Sequence, residues 1–194
     1  MEKFKVIKTP IKDLVIIETK IFKDDRGFFI ESYNSKDFTD IGINGHFVQD
    51  NHSMSKKGVL RGLHFQLKHP QGKLVQVISG KVFDVAVDLR LNSPTFGKWY
   101  GVELSDDNGL QFYIPSGFAH GFLAIQENTQ FFYKCTDFYH SDDELGIIWD
   151  DKDIGIQWPL SQVEKIMISD KDKKLSSFSE VRRILEKENS WRKL

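Results

Sequence analysis

The sequence predicts a mainly β protein, a sandwich or barrel of short strands with a helical appendage at its C-terminal end. Three observations carry that expectation. Sixteen Phe stand with many Val and Ile in short alternating runs, and such residues suit a pleated, half-buried surface. Turn signals separate those runs at the close spacing of all-β folds. Near the C-terminus the alternation gives way to a helical period.

The elements follow in order. Residues 4–9 and 13–22 read as strands, with Pro10 limiting the link between them. Asp24–Gly27, DDRG, reads as a turn opening into FFIESYN. Residues 35–46 read as a short helical turn ending at glycines. FVQDNHSMS then places Gln49, Asp50, Asn51, His52 and Ser53 in a polar run, which serves either turn chemistry or sugar hydroxyls. From Lys73 the alternation LVQVISGKVFDVAVDLR breaks at Ser79 and Gly80, the pattern of a β-hairpin in a barrel wall. LQFYIPSGFAHGFLAIQ reads as strand, tight turn, strand, and FFYKCTDFY as a further strand. In the tail, Ser177 and Glu180 form a capping-box signature. Phe178, Val181, Ile184 and Leu185 share one helical face, predicting a helix over 175–191 packed outside the barrel. No repeat or linker divides the chain, so one domain over 1–194 is expected.

Charge and cysteine usage narrow the function classes. Against 27 Lys and Arg stand 28 Asp and Glu, a formal net of -1. No general field exists for nucleic acid or an anionic membrane, and an anion has to be met by local Arg or Lys. The single cysteine, Cys135, forms no intramolecular disulfide and has no histidine at nucleophile spacing, so a core thiol is the default. No long apolar run or signal-peptide core is visible at the start, which predicts a soluble, cytoplasmic protein.

The chemistry concentrates in Gly58–Gly80, GVLRGLHFQLKHPQGKLVQVISG. Strand alternation sends one set of its side chains toward a common wall, offering a cation, a neutral base and an amide to one pocket. Taken alone, many of these residues admit two readings. Arg26 is a solvated turn charge or a phosphate fork, with an exposed Phe beside it to stack on a base. Tyr133 is a core tyrosine or a proton donor. Asp172 is a solvated tail acid or a partner for an imidazole. Lys73 is a surface lysine or an oxyanion contact. His120 is a satisfied barrel histidine or a site residue. His46, His52, His69 and His140 read as structural or solvated.

Gly58 with His64, and Gly109, Pro115, Gly117 and His120, resemble the two motifs of the cupin superfamily, implying a jelly-roll β-barrel, or double-stranded β-helix. Metal-binding cupins carry a second His where this chain has Gln66, and the place of their Glu falls near Lys73. Imidazoles with an amide and an ammonium make a poor divalent site, so no metal is expected. With that departure, the chain resembles the dTDP-4-dehydrorhamnose 3,5-epimerase family. The motifs are DDRG at Asp24, VQDN at Val48, RGLHFQ at Arg61, PQGKLVQVISG at Pro70, DVAVDLR at Asp84, SPTFGKW at Ser93, IPSGFAHGF at Ile114, YKCTDFY at Tyr133 and ISDKD at Ile168.

The resemblance implies an isomerase without cofactor. Its substrate is a 4-keto-6-deoxy sugar on dTDP, whose C3 and C5 protons are acidic because they lie beside a ketone. It implies His64 as general base, Asp172 as the carboxylate paired with it, Tyr133 as the acid on the opposite face, with Tyr139 a second candidate, and Lys73 at the O4 oxyanion. Arg26 and Arg61 correspond to a diphosphate clamp. Phe28, Glu31, Gln49, Asn51, His120, Tyr139, Glu144 and Lys171 correspond to substrate contacts. A homodimer in which Arg26 reaches the neighbouring site is implied, with no nucleic acid or membrane partner. Three rivals stay open: an epimerase acting at one carbon or on another 4-keto sugar, a metal-dependent cupin oxygenase or isomerase, and a barrel that binds sugar nucleotides without turnover.

Overall fold

The computed structural model describes residues 3–188, Trp191 and Leu194. Its strands are β1 (Phe4–Lys8), β2 (Val15–Thr19), β3 (Ile21–Asp24), β4 (Gly27–Ile30), β5 (Gln49–Ser55), β6 (Leu60–Gln66), β7 (Lys73–Ser79), β8 (Lys81–Asp88), β9 (Trp99–Ser105), β10 (Leu110–Ile114), β11 (Phe118–Ala124), β12 (Thr129–Cys135) and β13 (Glu144–Gly146). Helices α1 (Ser35–Asp40) and α2 (Phe178–Lys187) complete the fold with two short 3-10 turns. The expected mainly β class is what forms. The order β1-β2-β10-β7-β12-β5 makes a six-stranded sheet and β13-β6-β11-β8-β9 a five-stranded one, while β3 and β4 form a separate ribbon.

The two sheets face each other as a jelly-roll sandwich, and no ladder among the described residues closes them into a continuous barrel. From β5 to β13 the chain changes sheet at every connection except β8 to β9. The expected hairpin about Ser79 and Gly80 is therefore corrected: β7 pairs with β10 and β12, and β8 pairs with β9 and β11. Gly80, at φ 88, turns the chain across the sandwich, and an added Cβ would stand 2.6 Å from Thr129 Oγ1. Alternation shows which residues share a face but not which sheet receives the next strand.

Smaller corrections concern boundaries. The expected strand over 13–22 breaks at Lys20 into β2 and β3, and the helical turn expected over 35–46 ends at Asp40, capped by the Asn34 side chain at its start. The expected C-terminal helix is shorter, Phe178–Lys187, with the capping box between Ser177 and Glu180 in place. Positions 189 and 190 of that expectation lie outside the described residues.

Three apolar layers hold the sandwich. Between the sheets pack Ile16, Val75, Val77, Val82, Ala86, Leu104, Phe112, Phe122 and Phe131. The outer face of the six-stranded sheet is covered by α1, where Phe38 meets Phe4, Ile17 and Leu74. The outer face of the five-stranded sheet, with Leu63, Phe65, Val85 and Val87, is covered by Val181 and Leu185 of α2 and by Trp158 and Trp191. The Trp191 indole N–H donates to Leu67 O at 2.7 Å, which satisfies the one polar group this large side chain buries. With both outer faces occupied, the inward faces bring His64, Lys73, His120 and Tyr133 together at one end of the sandwich.

Candidate active site

A cleft of about 700 Å³ opens between the sheets at that end. The six-stranded sheet contributes alternate residues of three neighbouring strands: Gln49 and Asn51 from β5, Lys73 from β7 and Tyr133 from β12. The five-stranded sheet contributes Arg61 and His64 from β6 and His120 from β11. Tyr139, Glu144, Lys171 and Asp172 complete the lining.

Arg61 and His64 are three residues apart, so simple alternation would send them to opposite faces. A β-bulge reconciles them: His64 pairs with His120 and Arg61 with Phe122, so β6 spans three residues where β11 spans two. Gly62 makes this possible. Its φ is +105, and a Cβ there would lie 2.5 Å from His120 O.

His64 Nε2 lies 2.9 Å from Asp172 Oδ1, while the Gly62 N–H donates to Asp172 Oδ2 at 3.2 Å. The Asp172 N–H in turn donates to Ser169 Oγ at 3.0 Å. Burial acts to raise the Asp172 carboxyl, but the hydrogen bonds and charge that meet the carboxylate itself, led by the His64 hydrogen bond and joined by the Gly62 N–H, hold it below its usual range. An ionised acceptor at Nε2 favours the tautomer protonated there, leaving Nδ1 as the basic nitrogen. Glu144 Oε1 stands 4.0 Å from Nδ1. Glu144 is also bonded by Lys171 Nζ and, at 3.2 Å, by the Tyr139 hydroxyl. Burial opposes its ionisation, but Lys171 and His64 pull its pKa down.

Tyr133 projects from the sheet opposite His64. Burial first, then the neighbouring Cys135 and Glu144, push its phenol up to about 12, so it is neutral and able to donate at pH 7. Lys73 is half-buried, and burial pulls its pKa down against the opposing pull of Cys135, Glu144 and Asp84. The Cys135 thiol is buried and raised by that burial, as a core thiol should be.

The donor set does not make a cupin metal site. Gln66 Nε2 donates to His69 O and Phe138 O, and its Oε1 accepts from the His140 N–H, so its polar atoms are committed elsewhere. His120 Nε2 is shared by both carboxylate oxygens of Asp84 at 3.0 Å. The ammonium of Lys73 occupies the remaining corner.

The comparisons decide the family. A family model described as dTDP-4-dehydrorhamnose 3,5-epimerase matches residues 8–180. A curated dTDP-4-dehydrorhamnose 3,5-epimerase from Methanothermobacter thermautotrophicus is 55% identical over 173 residues, covering 89% of this chain and 94% of the relative. The chain belongs to this family. Among solved epimerases, that of Legionella pneumophila, in complex with dTDP-4-keto-L-rhamnose, superposes with a TM-score of 0.88 at 51% identity over 91% of this chain and 93% of that one. The Bacillus anthracis epimerase, with TDP and pyrophosphate bound, superposes at 0.86 with 46% identity over 90% and 99%.

Of the residues that the resemblance to the epimerases singles out, His64, Tyr133, Asp172, Lys73, Gln49, Asn51, Arg61, His120, Tyr139, Glu144 and Lys171 all line the cleft. Arg26, Phe28 and Glu31 do not line it. Arg26 sits on the exposed β3–β4 turn, paired at 2.6 Å with Asp24; Phe28 is 64% exposed; and Glu31 bonds Lys3 and Asn34. Asp84 stands in the sequence motif DVAVDLR with no role assigned to it there; the structure makes it the buried partner of His120. Its signal in the sequence is a carboxylate inside the apolar run VFDVAVD, since Asp is rarely buried without a partner.

Proposed function

We propose that the chain inverts C3 and C5 of dTDP-4-dehydro-6-deoxy-D-glucose to give dTDP-4-dehydro-L-rhamnose, by deprotonation and reprotonation beside the C4 ketone. The observation that carries this reading is the His64–Asp172 dyad facing the unpaired phenol of Tyr133 across the cleft. His64 Nδ1 takes the proton from the carbon, and Asp172 stabilises the imidazolium that forms. The electron pair moves onto O4 as an enolate, where Lys73 meets the negative charge. Tyr133 returns a proton to the opposite face, and Tyr139 is the alternative donor. No electron leaves the substrate, so a redox cofactor has no part to play. Arg61, hydrogen-bonded at 3.1 Å to Ser55 Oγ, serves the diphosphate, while Gln49, Asn51, His120, Glu144 and Lys171 contact sugar and nucleotide.

The finer statements belong to the same reading. The chain acts as one domain, 1–194, in the cytoplasm; no described helix is long and apolar enough to cross a membrane. It pairs with a second copy, with Arg26, Phe28 and Glu31 serving the neighbouring site. Their distance from the cleft of their own chain, and the exposure of Phe28 and Phe29 at 64% and 66%, support that arrangement.

Incubation with substrate in deuterated water, followed by NMR, tests the reaction. Deuterium at both C3 and C5 is expected. Label at one carbon only would reassign the enzyme to a single-centre epimerase, and no label with intact nucleotide binding would reduce it to a binder.

A further inference from the structure

The segment that brings Tyr139 to the cleft also carries Asp137 and His140, which face away from it toward His69 on the β6–β7 loop. The His69 and His140 rings stack with centroids 4.1 Å apart and planes at 21°. His69 Nδ1 lies 3.8 Å from Asp137 Oδ2. One ligand atom from each of the three residues falls within 4.8 Å of the others.

The backbone beneath this cluster is held on both sides. Gln66, 3% exposed, donates to His69 O at 2.7 Å and to Phe138 O at 3.1 Å, and accepts from the His140 N–H at 2.7 Å. The Asp143 carboxylate accepts the N–H groups of Lys68 and His69 at 2.9 Å. Asp137 Oδ1 is occupied by the Phe138 N–H at 2.8 Å, which leaves Oδ2, the oxygen nearer His69, free to bind. An outer contact of this kind orients a ligand before a metal arrives.

We propose that His69, Asp137 and His140 form a binding site for a borderline divalent cation of the Zn²⁺ class, outside the catalytic cleft. Two imidazoles and a carboxylate suit Zn²⁺, Ni²⁺ or Cu²⁺ and disfavour Mg²⁺ and Ca²⁺, which take all-oxygen shells. A tetrahedral shell with bonds of about 2.0–2.1 Å sets its ligand atoms roughly 3.3 Å apart. Side-chain rotation over a fixed backbone closes the remaining gap, since none of the three side chains is locked in the core. Water completes the fourth position. The site owes nothing to the epimerase chemistry, so the two readings stand or fall separately.

The test is calorimetric titration of the chelator-treated full chain with ZnCl₂, with MgCl₂ as the control. One Zn²⁺ per chain is expected and no Mg²⁺, with affinity lowered at least tenfold in His140→Ala and in Asp137→Asn and kept in His64→Ala. On the wild type, NMR should show the His69 and His140 ring signals moving with Zn²⁺. No Zn²⁺ uptake, uptake unchanged in a His69→Ala/His140→Ala double variant, or uptake lost in His64→Ala would overturn the proposal.

Discussion

In the proposed mechanism Asp172, 2.9 Å from His64 Nε2, does two things: it selects the ring tautomer, and it holds an anion next to a ring that becomes cationic during the reaction. Asp172→Asn keeps the shape and loses both effects. We expect kcat to fall by about 10²- to 10⁴-fold with KM little changed, because the carboxylate acts on the transition state more than on binding. Steady-state kinetics checks this, and a KM effect alone would make Asp172 a binding residue. Tyr133→Phe separates the two faces. Solvent exchange begun by His64 should persist while inverted product falls by roughly 10²-fold, and normal product would pass the acid role to Tyr139. Asp172 and Glu144 are also among the carboxylates that contribute to acid stability, Asp88 being another. Asp172 and Glu144 have folded pKa values below their ordinary ones, so their contribution is complete above the ordinary carboxylate range near about 4 and is lost as pH falls through the depressed folded values. Thermal unfolding at stepped pH should show the melting temperature dropping on that acid side, and the double variant Asp172→Asn/Glu144→Gln should flatten the drop.

At the scale of the element, β6 shows what can and cannot be read from a sequence. Leu60, Leu63 and Phe65 face the outer core while Arg61 and His64 face the cleft, a pattern that neither strand nor helix period describes. The bulge at Gly62 produces it, and nothing local announces a bulge except a glycine inside a strand. Gly62→Ala should cost about 3 kcal/mol, since a methyl at φ +105 adds backbone strain to a 2.5 Å approach to His120 O. Urea denaturation would measure it, and an unchanged midpoint would mean that the bulge relaxes freely. The helix α2 was legible because its cap, Ser177, and its apolar face are encoded side by side, the cap directly before Phe178–Lys187. The β7–β8 pair was not, because its residues alternate identically whether the strands pair with each other or cross between sheets. Asp84 was visible as a charge in an apolar run, but its partner His120, from β11, was not, since that pairing exists only after the sheet forms.

For the molecule as a whole, the proposed mechanism draws its base, acid and oxyanion contact from the cleft, yet among the described residues Arg61 is the only arginine that lines it. Arg26 lies on the exposed β3–β4 ribbon, where among the described residues Asp24 is the carboxylate that answers its charge. If that ribbon serves a second copy, two-fold symmetry makes the exchange reciprocal, each chain lending an arginine and receiving one. Complementation distinguishes this from a role within one chain. Arg26→Ala and His64→Ala should each be nearly inactive alone. Mixed under exchange, about half the dimers are hybrids, and each hybrid holds one site with both His64 and a lent Arg26, so activity should return to about a quarter of wild type. If Arg26 served its own chain, every site in the mixture would lack one residue or the other and no activity would return. Light scattering on the wild type supplies the independent check, because a monomer at assay concentration would leave Arg26 with no neighbouring site to reach.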